Sequence, residues 1–291
     1  MKAVLLLLLA SLVTPHSFAS ELIRHPRPVG ERDLRNIYAV DLLRLALDKT
    51  QHSHGSYRLE SIAESMPQSR AISELAAGEQ LDVLWTMTSR EREAQLLPIR
   101  IPIYKGLIGY RLLMIREEDQ AWFRKLETLD QLRQLRAGQG HDWPDTDILL
   151  ANRIEVERAS GYDNLFTMLQ QGRFDFLPRG VNEVQHELGQ RQEMGLIIEP
   201  TLLIQYPAAS YFFVSRNNPA LATRIEAGLR RAIEDGSFDK LFYNHPVNRQ
   251  ALADARLEQR RRLILANPLL PEETPLDQDQ LWFEPEYARN P

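Results

Sequence analysis

The 291-residue chain contains no cysteine. That excludes disulfides, thiol catalysis, a lipid-modified N-terminal cysteine and any Cys-ligated metal, so the hydrophobic core alone must hold the fold. Beyond the N-terminal segment no stretch reaches eighteen apolar residues, the length a membrane-spanning helix needs. Charge of neither sign dominates: the net charge is −5, with a pI of about 5.9, which argues against nucleic acid as a partner. Lysine is scarce and arginine takes its place, so a single arginine signals little without context. There is no Gly-x-Ser-x-Gly, no phosphate-binding glycine loop, no His-Glu-x-x-His, no internal repeat and no low-complexity tract.

The N-terminus has a pattern of its own. Lys2 is the only early charge, and an apolar run follows from Val4 through Leu9 to Val13, closed by Pro15. Ser17 and Ala19 then stand two apart, the spacing of a small-x-small cleavage site. This is the layout of a secretory signal peptide. The expectation is cleavage after Ala19 and a mature protein free in the periplasm. A buried N-terminal helix or an uncleaved anchor is the plainer alternative.

Periodicity organises the remainder. Residues 22–25 read as a strand, and 31–49 as a helix with Leu34, Ile37, Tyr38, Leu42 and Leu45 in one stripe. Residues 57–62 read as a strand, 69–77 as a helix stopped by Gly78, and 81–85 as a buried strand. This alternation implies a mostly parallel sheet flanked by helices. It resumes with strands at 107–115, 135–140, 174–177, 196–198 and 202–204, and helices at 126–132, 146–154, 162–170 and 182–191. A strand at 211–214 and an amphipathic helix at 219–234 follow. Residues 251–265 read as a charged helix on which Arg260, Arg261 and Arg262 form a solvated face, and 267–291 as a Pro-rich tail packed on the body.

Two segments carry a resemblance. "LAAGEQLDVLWTMTSREREAQLLPIRIPIYKGLIGYRLLMI" (75–115) has a helix, a glycine stop, an Asp-containing strand, a loop with an arginine, a Pro/Tyr pair and a crossover strand. "YFFVSRNNPALATRIEAGLRRAIEDGSFDKLF" (211–242) has a return strand, an Asn-Pro helix start and an Asp-Gly helix end. Together they resemble the periplasmic solute-binding proteins of family 3, the amino-acid ABC-transporter type, as a divergent member. The resemblance runs over residues 22–243. It implies an α/β, two-lobed type-2 periplasmic-binding fold, each lobe a mostly parallel sheet flanked by helices, with a double crossover hinge. The expected division is signal peptide 1–19, first lobe 20–115 plus 208–250, second lobe 116–207, and a C-terminal helix and tail, 251–291, packing on the first lobe.

The resemblance also implies where a ligand sits. Arg92, by its spacing to Pro102 and Tyr104, matches the arginine that forks onto a ligand carboxylate, with Arg90 as fallback. A surface pair with Glu91 or Glu93 is the plainer alternative. The family's small hydroxyl residues five and seven before that arginine are replaced by Met87 and Trp85. Trp85 is either a stacking surface or core, and Thr88 offers a hydroxyl nearby. In the second lobe His141 and Asp142, followed by Trp143, occupy the strand-to-helix turn that holds carboxylates; His141 is otherwise an inconsequential loop residue. The acid five positions after Asp175, which takes a ligand ammonium in the family, is Gly180 here, preceded by Arg179 and followed by Asn182 and Glu183. Arg179 and Glu183 either face the ligand or pair with each other.

No second histidine lies at ligand spacing near His141, so neither a metal nor another cofactor is expected. The favoured function is a monomeric receptor that captures a small polar, carboxylate-bearing, anionic solute for an ABC permease or a membrane-bound sensor, without enzymatic activity. Two unpaired arginines facing across the cleft, Arg92 and Arg179, motivate the anionic ligand. The alternatives are a dehydratase-like enzyme on the same fold, using Glu183, His141 and Asp142 as acid–base groups, and a partner-binding module with a vestigial cleft.

Overall fold

The computed structural model describes residues 20–27, 36–64, 66–283 and 285. The expected signal peptide lies outside them, as does the start of the helix expected from residue 31. The chain opens with β1 (Glu21–His25), α1 (Ile37–His54), β2 (Tyr57–Ser61), α2 (Gln68–Ala77), β3 (Leu84–Met87), α3 (Arg90–Gln95) and β4 (Leu97–Ile99). It continues with β5 (Tyr110–Arg116), α4 (Gln120–Phe123), α5 (Leu129–Leu132), β6 (Arg136–Gly140), α6 (Pro144–Ala151), β7 (Glu155–Ala159), α7 (Tyr162–Gln170), β8 (Leu177–Gly180), α8 (Val181–Gly189), β9 (Leu196–Ile198) and β10 (Leu202–Gln205). It closes with β11 (Ser210–Val214), α9 (Pro219–Glu234), α10 (Ser237–Asn244), α11 (Pro246–Ala255) and β12 (Arg261–Ile264).

Two α/β lobes result. In the first, β11 lies between β3 and β4, and β1 pairs β2. Backbone bonds from Asp82 and Val83 to the Arg24 carbonyl carry β1 onto the approach to β3. In the second, the order is β12-β10-β5-β8, with β9 also on β5. The β6–β7 pair joins it through the bridge of Ala137 to Phe176. Parallel pairing holds within the βαβ units β1–β2 and β6–β7. It gives way at the strands that change lobes: β5 is antiparallel to β8, β9 and β10, and β11 is antiparallel to β3 and β4.

The structure also departs from several element assignments. Strand β7 falls where only a gap between helices was expected, and the strand expected at 174–177 begins at Leu177. The expected helix over 251–265 ends at Ala255, because Arg256 turns left-handed (φ 47°). Arg261–Ile264 then extends along β10 in parallel. Leu263 and Leu265 are buried two residues apart, a period-2 signal that the arginine triplet hides. Arg260 is not solvated helix surface: its guanidinium donates to the carbonyls of Ala255, Glu199 and Leu202.

In the first lobe α1 and α9 pack backbone to backbone at one point. A Cβ on Gly228 would lie 1.9 Å from the Ala46 carbonyl oxygen. Gly228→Ala is therefore expected to cost about 1–3 kcal/mol through forced separation of the helices, read as a fall in the urea midpoint at unchanged m-value.

Candidate functional site

Between the lobes lies a cavity of about 510 Å³, within the range of ligand pockets in proteins, about 300–1,000 Å³. It opens at the C-terminal ends of β3, β6 and β8, where α/β sheets place their binding crevices. Of the residues expected from sequence, Arg92, Trp85, Tyr104, His141, Asp142, Trp143, Arg179, Asn182 and Glu183 all line it. Thr88 does not. Its hydroxyl donates to the Glu93 carboxylate at 2.6 Å, which turns it toward α3. Trp85, Thr86 and Met87 all line the cavity, and the strand that presents them ends at Met87, one residue before Thr88.

Arg92 is 6% exposed. Ser89 caps α3 by accepting from the Arg92 backbone N–H, which fixes where the side chain starts. The guanidinium donates to Thr86 Oγ1 at 2.5 Å, to the Met87 carbonyl at 2.9 Å, to Gln68 Oε1, and to the Asp142 carbonyl at 3.2 Å. Every one of these acceptors is neutral. No Asp or Glu of the described residues pairs with it, and burial pushes it down to about 10. The alternative of a surface pair with Glu91 or Glu93 does not hold, because Glu93 pairs with Arg100 instead. Arg90, the fallback, donates to the Pro268 carbonyl.

Asp142 reaches across the cleft. Its carboxylate accepts from the Ser69 backbone N–H at 3.2 Å, in the first turn of α2, whose own N-cap position is Pro67 and supplies no side-chain oxygen. A carboxylate at a helix N-terminus is a favourable placement. His141 is exposed at the rim. Trp85 donates its indole N–H to Asn36 Oδ1 at 2.8 Å and meets Phe212 edge-on, so it serves as both core and cavity wall.

Arg179 is not open to a ligand in the way its position suggests. Glu187, fully buried on α8, accepts from its guanidinium through both oxygens at 2.7 Å. Glu183 adds an ion pair at 3.1 Å, and Trp143 stacks at 4.6 Å. Burial opposes the charge, but Glu183 and Glu187 more than offset it and hold the guanidinium well above its ordinary value. The two unpaired arginines expected to face each other are thus one unpaired and one neutralised. Glu183 is also held by the Gly180 N–H at 3.0 Å.

A second buried pair was missing from the sequence reading. Arg111 on β5 and Asp145 on α6 meet at 2.6 Å. Tyr206 bonds both: it accepts from Arg111 Nε at 2.9 Å and donates to Asp145. Arg111 and Asp145 line the cavity. Asp145 follows Trp143 by two residues in the turn already singled out, and Glu187 lies one helical turn beyond Glu183, so helix periodicity was the available signal. Arg111, inside an apolar crossover strand, had none. In the second-lobe wall Arg111 and Arg179 are thus each ion-paired, and among the described residues lining the cavity Arg92 is the cation whose hydrogen-bond partners are all neutral. Among the described residues no group of His, Asp and Glu fits a metal, and no helix is long and apolar enough to cross a membrane.

No family model matches the chain, and no curated protein matches it in sequence. Solved structures match it in fold. An ancestral arginine-binding protein bound to glutamine aligns over 78% of this chain and 98% of its own, with a TM-score of 0.58 at 15% identity. A probable amino-acid ABC transporter extracellular-binding protein from Bacillus subtilis aligns over 79% and 100%, with a TM-score of 0.57 at 15% identity. A histidine kinase sensor domain with similarity to periplasmic binding proteins aligns over 77% and 95%, with a TM-score of 0.56 at 16% identity. The chain has the two-lobed α/β fold of these binding proteins.

Proposed function

We propose that this chain is an exported, periplasmic solute receptor, a divergent relative of the family 3 binding proteins, whose cleft captures a small polar solute bearing a carboxylate. The observation that carries the reading is Arg92: a buried guanidinium in the wall of a 510 Å³ inter-lobe cavity, with neutral partners only. A ligand carboxylate offers it the charge-assisted fork that the protein withholds. Since Arg111 and Arg179 are already paired, one carboxylate satisfies the site. The structural neighbours include both an ABC-transporter binding protein and a kinase sensor domain, which supports delivery to a permease or a membrane sensor as the output. The dehydratase-like alternative gains nothing from the geometry: Glu183 is held in ion pairs and His141 sits exposed at the rim.

A thermal-shift screen of small metabolites tests the proposal. A carboxylate solute at about 100 times its Kd is expected to add about 2.7 kcal/mol of stability, and recovered solute is expected chemically unchanged. A broad screen in which no compound moves the midpoint would sink the receptor reading in favour of a partner-binding module.

A further inference from the structure

The two lobes are joined by the crossovers between β4 and β5 and between β10 and β11; beyond α10 the chain crosses again to β12 in the second lobe, and the C-terminal segment then makes a fourth passage back. β12 leaves the second lobe beside β10. The Leu265 N–H donates to the Gln205 carbonyl at 2.8 Å, and the Asn267 amide to the Pro207 carbonyl at 2.8 Å, so the segment follows the second crossover outward. It is then received by the first lobe. Arg90 on α3 donates its backbone N–H to the Leu269 carbonyl at 3.2 Å and its guanidinium to Pro268 at 2.6 Å.

Farther on, the segment lands on the first crossover. Lys105 Nζ donates to the Gln280 carbonyl at 2.5 Å, the Phe283 N–H donates to the Lys105 carbonyl at 2.6 Å, and the Tyr110 hydroxyl donates to the Phe283 carbonyl at 3.4 Å. The Trp282 ring covers Gly106 so closely that a Cβ there would lie 2.4 Å from it. Lys105 and Gly106 are both left-handed, at φ 49° and 73°. That is a costly backbone for a lysine, and it persists only where its surroundings fix it.

We propose that residues 261–283 are a strap that restrains opening of the lobes. Hinge closure moves rigid lobes through φ/ψ changes at a few crossover residues. Here those crossovers are tied to the returning chain passage, which is also bonded to both lobes. The packing expected of the tail, on the first lobe alone, is half of what it does. The strap itself requires only the fold; its consequence for solute exchange rests on the proposed function.

The absence of cysteine makes the test direct. Ser73→Cys on α2 and Asp147→Cys on α6, both exposed, take spin labels on opposite sides of the cleft, and electron–electron resonance reads their distance without any solute. A narrow distribution is expected in the full chain. Trp282→Ala, Asn267→Ala and truncation after Ala266 are each expected to double its width or add a longer population, with far-UV circular dichroism unchanged. An unchanged distribution in the folded variants overturns the proposal. Loss of fold in all three does so too, because the segment is then core. A broadened distribution beside a solute screen with no response would leave the strap standing and remove the receptor reading.

Discussion

Replacing Arg92 by alanine or methionine is expected to weaken binding of the carboxylate solute at least tenfold, one decade being about 1.4 kcal/mol, while costing the fold little. The asymmetry follows from the environment of the guanidinium. Burial lowers its pKa from the ordinary guanidinium range to about 10, and since one unit is about 1.36 kcal/mol, keeping it charged costs the folded protein on the order of 3 kcal/mol. The sign is that of a depressed base: the cost is present at neutral pH and is relieved only as pH rises through about 10. Methionine removes that cost but leaves Gln68, Thr86 and the Asp142 carbonyl short of a donor, so the two effects largely cancel. Titration calorimetry with the identified solute and thermal melts of both variants check this. Arg92→Lys keeps the charge and loses the fork, so an intermediate affinity is expected. If the substitutions leave affinity within twofold of the parent, Arg92 is structural and the cleft assignment is wrong.

Glu187→Ala should show the opposite pattern, with a large loss of stability. Glu187 is fully buried, accepts two bonds from Arg179 at 2.7 Å and a third from the Tyr162 hydroxyl at 2.7 Å. Its removal leaves a guanidinium in the interior with only Glu183 as counter-charge. Breaking one partner of a buried pair costs about 3–5 kcal/mol. At about 2–4 °C per kcal/mol for a chain of this size, the midpoint should fall by roughly 6–20 °C. Glu187→Leu combined with Arg179→Met should recover most of the loss, since apolar replacement of the whole pair is close to neutral. A fall below about 1 kcal/mol in the single variant would mean that Glu183 alone neutralises Arg179.

The sequence by itself determined the periodic elements and much of the cleft. The helix at Pro219–Glu234 is where its apolar stripe and Asn218 cap place it, because side chains that bury on one face must recur at the helical period. The loop after Trp85, the turn at His141 to Trp143 and the region around Arg179 reach one cavity because each follows a strand whose C-terminal end faces it. Tertiary structure alone decided which charges are spent. Whether Arg179 awaits a ligand or is held by Glu187, whether Asp142 touches a solute or caps α2 from the other lobe, and whether Arg111 lies in a core or against Asp145 all depend on partners 8, 73 and 34 positions away. Local pattern is silent on such pairings. The same holds for β12, whose edge position beside β10 overrides the helical reading of its arginines, since backbone groups at a sheet edge are satisfied only by a strand that arrives from elsewhere in the chain.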